Sequence, residues 1–217
     1  MNKYLLKYEV ITVNEIDYQI RSLKNKQQYD DRNQEAEALG ISSATWPLFG
    51  VVWPASKVLA TTVSAIILDG KRILEIGCGI ALSSIVLHKM GMDITASDYH
   101  PLAKSFLDQN IIDNHLSPIL YQAGNWETDN PLLGKFDLII GSDILYEPAH
   151  PNSVSRFINQ HTSENASVII IDPNRGNRAD FTKKMLALGY THHFERFDIP
   201  ATINDLQCKG RILHYQR

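Results

Sequence analysis

A glycine-containing turn in the first half of the chain carries the clearest chemical signal. An apolar, strand-like run over 73–76 ends in the turn Gly77-Cys78-Gly79, and residues able to begin a helix follow. Glycine permits positive φ angles and lets a ligand approach the backbone closely. Asp98 ends a second strand-like run about 20 residues later, where nucleotide-binding α/β folds place the acid that binds a ribose. This spacing predicts a nucleoside-containing ligand at the turn.

The residues around the turn narrow the choice of ligand. A dinucleotide-binding turn has glycine at the sixth position, which is Leu82 here, and no Gly-Lys-Ser/Thr of a phosphate loop follows. Glu75 ends the strand two residues before the first glycine. A carboxylate there is poorly placed beside a pyrophosphate but well placed near a cationic ligand or a ribose hydroxyl. These features favour S-adenosylmethionine, which carries a sulfonium and an ammonium group and no phosphate, and they disfavour a nicotinamide-dependent oxidoreductase.

An aromatic segment precedes the turn and has two possible roles. Its two Trp-Pro pairs, at 46–47 and 53–54, favour extended backbone because proline restricts the residue before it. Large aromatic side chains on such a segment either fill the core or form the wall of a ligand pocket, and both roles stay open. Cys78 is expected to pack inside the glycine turn, because no neighbouring group that would activate a thiol can be identified.

Short apolar runs that alternate with helical patterns are typical of a buried, largely parallel sheet. A β-hairpin is expected over 7–13 and 16–23, followed by a polar linker and a short helix that ends at Gly40. Strands are predicted at 73–76, 93–98, 119–122, 136–143, 167–172, 190–198 and 210–216. Helices are predicted at 56–68, 81–90, 102–114, 151–160 and 178–188.

Composition limits the class of protein and its partners. The 217 residues, 44% hydrophobic and 21% charged, fit one large α/β domain over 46–217, with an N-terminal hairpin and linker over 1–45. The net charge of −3 offers no basic field, so no nucleic-acid partner is expected. The apolar stretch 51–68 contains Pro54 and Lys57 and is short for a membrane span. Two cysteines are too few for a disulfide framework, and without clustered histidines they predict no zinc site. The first residues lack the apolar core of a signal peptide, so a cytoplasmic protein is expected.

The glycine turn also resembles the first motif of a known superfamily. Leu74-Glu75-Ile76-Gly77-Cys78-Gly79 is similar to that of the class I, seven-strand S-adenosylmethionine-dependent methyltransferases, with Ala81 where many members have a third glycine. The resemblance runs from about Trp53 to the C-terminus. It implies a Rossmann-like, seven-stranded, mostly parallel sheet with helices on both faces. It also implies cofactor contacts from Glu75, Gly77, Cys78 and Gly79, with Asp98 on the ribose hydroxyls.

Three further segments resemble one branch of that superfamily, the protein lysine methyltransferases with an Asp-x-x-Tyr motif after the fourth strand. The segments are Trp53-Pro54, Asn125-Trp126 and Ser142-Asp143-Ile144-Leu145-Tyr146. The resemblance implies that Trp53 and Trp126 line the cofactor site and that Ser142 lies near the adenine or methionine portion. The run 172–176, Asp-Pro-Asn-Arg-Gly, resembles the Asp-Pro-Gly-Arg turn of bacterial and mitochondrial relatives, with Asn174 in place of glycine.

Asp143 and Tyr146 are the candidate catalytic residues. We hypothesise that Asp143 accepts a hydrogen bond from the acceptor nitrogen and that Tyr146 forms a wall of the slot. Packing alone offers another explanation, in which Asp143 caps a helix and Tyr146 fills space. The expected acceptor is a protein lysine, and a small amine is the main alternative. A nucleobase methyltransferase would have prolines where Ile144 and Leu145 stand, and a cofactor-binding module without activity would not need this motif.

Overall fold

The computed structural model describes residues 4–201 and 207–217. It begins with a hairpin in which β1 (Leu6–Val13) and β2 (Ile16–Leu23) pair in antiparallel fashion. Asn14 and Glu15 form the turn with φ angles of 47° and 65°. Positive φ at both positions is the geometry of two-residue hairpin turns that match the twist of the strands. The predicted hairpin is confirmed.

Seven strands of the described chain form the main sheet, namely β3 (Arg72–Ile76), β4 (Asp93–Asp98), β5 (Leu120–Ala123), β6 (Phe136–Ser142), β7 (Thr162–Asp172), β8 (Thr191–Ile199) and β9 (Cys208–Gln216). Their spatial order is β5-β4-β3-β6-β7-β9-β8. The pairs from β5 to β7 are parallel, and β9 runs antiparallel to both of its neighbours. The predicted seven-stranded, mostly parallel sheet is therefore confirmed.

Helices pack on both faces of this sheet, as expected. They are α1 (Glu35–Ala38), α2 (Pro54–Ser64), α3 (Leu82–Lys89), α4 (Ala103–Asp113), α5 (His150–His161) and α6 (Arg178–Ala187), with a 3-10 helix at Trp46–Gly50. Successive strand residues point to opposite faces. Ile73 of β3 accordingly belongs to a buried cluster with α2, α3 and α4, whereas Leu74 belongs to a second cluster with α5 and α6.

The largest departures from the predicted bounds are in α2 and β7, and the other predicted elements agree within two residues. Helix α2 begins at Pro54, two residues early, because proline suits the first helical turn, where its missing N–H would have no partner. It ends at Ser64, four residues before its predicted end. Strand β7 begins at Thr162 and not at Ser167. Its first residues are polar, and they pair with β6 across an irregularity between Phe136 and Leu138, so the apolar pattern does not report them.

Side chains of α4 and of its C-cap residue tie the hairpin to the main sheet. The Asn110 Oδ1 accepts a hydrogen bond from Arg21 N at 2.8 Å, and the Asn114 Oδ1 accepts one from Gln19 N at 2.9 Å. The two amides thus satisfy backbone groups on the free edge of β2. The boundary between 1–45 and 46–217 stays a prediction, and residues 1–3 and 202–206 of these units lie outside the described residues.

Across residues 4–201 and 207–217, no helix is long and apolar enough to cross a membrane.

Candidate functional site

The turn between β3 and α3 follows a backbone path that requires small residues. Gly77, Gly79 and Ala81 all have positive φ angles, of 58°, 54° and 60°. A Cβ atom on Gly79 would lie 2.6 Å from the carbonyl oxygen of Phe49, so no side chain fits there. Ala81 adopts the left-handed conformation despite its methyl group, which gives a physical reason for the third glycine of the resembling motif.

Asp98 at the end of β4 lies beside this turn. Its carboxylate accepts hydrogen bonds from Gly79 N at Oδ2 and from His100 N at Oδ1, each at 2.8 Å. Burial raises the pKa of Asp98, and these backbone hydrogen bonds oppose the rise. A carboxylate has about four lone-pair sites, so Asp98 retains capacity to accept further hydrogen bonds from hydroxyl groups of a ligand.

Glu75 has a different place from the one that the sequence suggests. Its Oε2 accepts hydrogen bonds from Ser84 N at 2.8 Å and from Ser84 Oγ at 2.5 Å, and it is not among the residues that line the cavity. Burial raises the pKa of Glu75 to about 7. The structure therefore does not bring Glu75 together with the cavity-lining residues, and its contact with the cofactor stays a prediction. Glu75 binds the first turn of α3, whose backbone N–H groups need an acceptor, and so holds the glycine turn.

The tryptophans divide between the core and the cavity. Trp46 is 0% exposed and packs edge-on against Phe49 at 5.7 Å between ring centroids. Trp53 lines the cavity, held by a 2.8 Å hydrogen bond from Nε1 to the carbonyl oxygen of Leu48. Trp126 also lines it, and its ring would lie 3.0 Å from a Cβ on Gly77. Both roles considered for the aromatic segment thus occur, in different residues.

Asp143 follows β6 directly and has a positive φ angle of 54°. The next helix, α5, begins at His150, so Asp143 does not cap it. Its carboxylate is paired with Arg175, whose Nε and Nη2 donate to Oδ1 and Oδ2 at 2.7 and 2.6 Å. Tyr146 packs edge-on against His150 at 4.6 Å, and burial raises the pKa of its hydroxyl.

These elements surround a cavity of about 240 Å³ at the carboxyl ends of β3, β4 and β6. Ligands bind at this edge in open α/β sheets. Apart from Glu75, all the residues predicted for the site line the cavity: Trp53, Gly77, Cys78, Gly79, Asp98, Trp126, Ser142, Asp143 and Tyr146. Burial raises the pKa of the Cys78 thiol well above its usual range, so the group is a neutral packing side chain.

Several lining residues were not singled out from the sequence. Phe49 and His100 stack face to face, with ring centroids 3.7 Å apart, and both border the cavity. Burial lowers the pKa of His100 to about 3, so its imidazole is neutral. Only their positions in the sequence could have indicated that these two residues line the cavity. Phe49 lies between the two Trp-Pro pairs, and His100 lies two residues after Asp98. Tyr99 and Arg175 line the cavity as well.

The charges of the lining suit a cationic ligand better than a phosphate. Asp98 and Asp143 contribute carboxylates, and the one guanidinium among the lining residues, that of Arg175, is already paired with Asp143. A pyrophosphate would need unpaired cations or a run of free N–H donors, whereas a sulfonium is stabilised by nearby carboxylates. The residues present therefore fit S-adenosylmethionine.

Comparisons with known proteins agree with this arrangement. A family model described as lysine methyltransferase matches residues 35–187. The protein N-lysine methyltransferase METTL21A of Xenopus tropicalis is 30% identical over 166 residues, covering 73% of this chain and 73% of that protein. A ubiquinone biosynthesis O-methyltransferase of Glaesserella parasuis is 29% identical over 164 residues, covering 65% of this chain and 67% of that protein.

A solved structure shares the fold at lower sequence identity. The magnesium protoporphyrin IX methyltransferase ChlM of Synechocystis PCC 6803, solved with bound SAM, matches with a TM-score of 0.58 and 20% identity. The match covers 75% of this chain and 77% of that one. At this identity the likeness concerns the fold alone.

Proposed function

Since this chain belongs to the lysine methyltransferase family and is an S-adenosylmethionine-dependent methyltransferase, we propose that its acceptor is a lysine side chain of a protein. The observation that carries the proposal is the meeting of Asp98 and Asp143 in one cavity, on either side of the glycine turn. In this proposal Asp98 binds the ribose of the cofactor, and Asp143 binds the amine that receives the methyl group. The cavity thus has a donor end for the methyl donor and an acceptor end for the methyl acceptor.

The donor end is formed by the turn and the aromatic wall. We assign the cofactor contacts to Gly77, Cys78 and Gly79, which line the cavity, and to the carboxylate of Asp98 for the ribose hydroxyls. The side chains of Trp53 and Trp126, with Ser142, enclose the same space. When bound, S-adenosylmethionine supplies a methyl group on a positively charged sulfur. The aromatic rings exclude water from that group and limit its orientations.

The acceptor end must handle a lysine in its neutral form, because an ammonium nitrogen has no lone pair. Deprotonation at pH 7 from a reference pKa of 10.4 costs roughly 4–5 kcal/mol. A cavity that removes the amine from water lowers that cost. Asp143 accepts a hydrogen bond from the nitrogen and so turns its lone pair toward the methyl group. Tyr146, which borders the same cavity, restricts the position of that nitrogen.

The compartment and partners follow from the same proposal. A protein lysine as acceptor makes a protein the expected partner, and no contact with nucleic acid or membrane is required. Cys78 and Cys208 are both unpaired and buried. Unpaired cysteines are usual in reducing compartments. We therefore propose that the protein works in the cytoplasm.

The test is methyl transfer to a lysate. The purified chain is incubated with methyl-labelled S-adenosylmethionine and a cell lysate from which small molecules have been removed. We expect a labelled protein band whose acid hydrolysate contains methyl-lysine. Label on arginine or histidine would contradict the lysine acceptor. A signal that disappears with the metabolites would identify a small-molecule acceptor, a class to which the ubiquinone O-methyltransferase relative belongs by name.

A further inference from the structure

The last two strands carry a second group of side chains whose chemistry suits a ligand. His193 and Glu195 of β8 and His214 of β9 offer two imidazole nitrogens and a carboxylate oxygen, all within 4.8 Å of one another. None of the three lines the methyltransferase cavity. We propose that these residues form a binding site for a divalent transition-metal ion, and that Zn²⁺ is the ion the donor set fits best.

The pairing of the strands brings the three donors together. His193 lies directly opposite His214 in the antiparallel pair of β8 and β9. Residues in this relation have Cβ atoms about 4.5–5.5 Å apart. Glu195 is two residues further along β8, and residues spaced by two share a face of the sheet. The backbone therefore fixes all three side chains on one face, independently of loop conformation.

One distance within the cluster equals that between two ligands of a metal ion. The Nε2 of His214 and the Oε1 of Glu195 are 3.4 Å apart. Two ligands bound to a tetrahedral zinc at 2.0–2.1 Å stand about 3.4 Å from each other. The rings of His193 and His214 lie parallel, with an interplanar angle of 1° and centroids 4.5 Å apart. His193 is exposed, and the proposal requires its ring to turn from this stacked position toward the same point.

His214 faces the Glu195 carboxylate without forming a hydrogen bond to it. The Nε2 of His214 is shielded from solvent and makes no hydrogen bond within the described residues, and Glu195 Oε1, at 3.4 Å, is an ion-pair contact. Buried polar atoms without a hydrogen bond lose those they would make to water. A metal ion bound to the neutral imidazole would satisfy this nitrogen and would also neutralise the Glu195 carboxylate.

The donor set selects the class of ion. Imidazole nitrogens favour Zn²⁺, Cu²⁺ and Ni²⁺, whereas Mg²⁺ and Ca²⁺ prefer oxygen ligands. Two histidines and one carboxylate are a known set for zinc, and they leave one coordination position for water. Zn²⁺ is taken as the occupant because it accepts tetrahedral geometry with mixed nitrogen and oxygen donors.

Calorimetric titration of the full chain with zinc chloride, after dialysis against a chelator, tests the site. We expect one equivalent of Zn²⁺ to bind the unaltered protein. His193→Gln and Glu195→Gln should each weaken binding about tenfold or more, since even loss of an outer partner of a metal ligand costs 10–100-fold. His192→Gln is the matched control. His192 precedes His193 on the opposite face, where it stacks on Tyr215 at 4.8 Å, and its loss should leave zinc affinity unchanged.

Thermal unfolding gives a second readout that does not depend on methyl transfer. Zn²⁺ should raise the Tm of the unaltered chain and of His192→Gln equally, and should raise the Tm of His193→Gln less at the same Zn²⁺ concentration. His193 and Glu195 are exposed, so their variants are expected to fold. Absence of stoichiometric Zn²⁺ binding would overturn the proposal. So would equal losses in His193→Gln and His192→Gln, or binding of Mg²⁺ as tight as that of Zn²⁺.

Discussion

Arg175 and Asp143 form a two-point ion pair inside the methyltransferase cavity, with the guanidinium Nε and Nη2 donating to the two carboxylate oxygens at 2.7 and 2.6 Å. The side chain of Asp143 is 8% exposed and that of Arg175 is 41% exposed, so the guanidinium covers the carboxylate from the solvent side. The proposed mechanism brings the acceptor nitrogen to this same carboxylate. In the proposed mechanism the acceptor nitrogen and the Arg175 guanidinium therefore both bind the carboxylate of Asp143.

Replacing Arg175 with glutamine should move the pH dependence of kcat, which reports the groups of the enzyme–substrate complex, to higher pH. A carboxylate without a neighbouring cation stabilises the ammonium form of a bound lysine and so raises the pKa of that amine. The ammonium form does not react. The guanidinium of Arg175 offsets this effect. We expect the limb that rises with pH to shift upward by about one pH unit. Arg175→Lys keeps the charge but not the two-point hydrogen bond, and should shift the limb less. The measurement is a pH–rate profile with a fixed acceptor.

Two readouts separate this role from simple obstruction. The affinity for S-adenosylhomocysteine should be unchanged in Arg175→Gln if the guanidinium acts on the acceptor side. An increase in kcat/KM of the same factor at every pH would mean that Arg175 only blocks entry, and the electrostatic role would be abandoned.

Removing the carboxylate at position 143 should abolish most methyl transfer while cofactor binding persists. Asp143→Ala takes away the acceptor of the hydrogen bond from the substrate nitrogen. Positioned acid–base groups contribute about 10²–10⁴-fold, so a loss of at least about 10²-fold in kcat is expected. Asp143→Asn, which keeps an acceptor oxygen, should retain intermediate activity. Full turnover of Asp143→Ala with labelled cofactor would remove this residue from the mechanism.

The glycine turn predicts a sharp contrast between two alanine variants. Gly79 and Gly91 both have positive φ, 54° and 83°, but a Cβ on Gly79 would meet the Phe49 carbonyl at 2.6 Å, whereas one on Gly91 meets nothing within 4 Å. Each variant bears a conformational cost of about 1–2 kcal/mol. Gly79→Ala adds overlap with the backbone, worth about 1–3 kcal/mol more.

Cofactor titration completes that comparison. Gly79→Ala should lose measurable S-adenosylhomocysteine binding, because the Phe49 segment that borders the cavity must move. Gly91→Ala lies outside the cavity and should bind the ligand as the unaltered protein does. Equal binding by the two variants would show that the close approach at Gly79 is unimportant for the cofactor. Urea unfolding of both measures the difference in stability.

The fold was predictable because its signals are local. Apolar runs such as 136–142 and 167–172 report buried parallel strands directly, and Gly40 and Gly91 mark the ends of helical segments. The polar start of β7 was missed because its pairing with Phe136 depends on a neighbouring strand and not on its own pattern.

The site was predictable only where motif spacing reports it. Gly77, Gly79 and Asp98 are linked by one short unit of chain, so their meeting follows from sequence. The ion pair of Asp143 with Arg175 and the stacking of Phe49 on His100 join segments that are distant in sequence. The hydrogen bonds of Glu75 were equally hidden. The sequence pattern does not show whether an acid at the end of a strand contacts a ligand or the helix that follows. These are tertiary relations, and periodicity carries no information about them.

Stability should depend on pH through Glu75. Burial raises the pKa of Glu75 from 4.5 to about 7, so the folded chain holds a proton that the unfolded chain has released between these values. The stability from this group is therefore fully present below about pH 4.5 and is lost as pH rises through about 7. The whole loss is of the order of 3 kcal/mol for a shift of this size.

Glu75→Gln isolates this effect because glutamine is neutral at every pH. Urea unfolding at pH 5, 6, 7 and 8 should show the variant gaining stability relative to the unaltered chain as pH rises, by about 1–3 kcal/mol between the extremes. Glu164→Gln, at an exposed position, is the control and should leave the pH dependence unchanged. Parallel stability curves for Glu75→Gln and the unaltered chain would mean that Glu75 is ionised throughout, held by its hydrogen bonds from Ser84. In that case Glu75 would hold α3 as a carboxylate at every pH tested and would not gain a proton on folding.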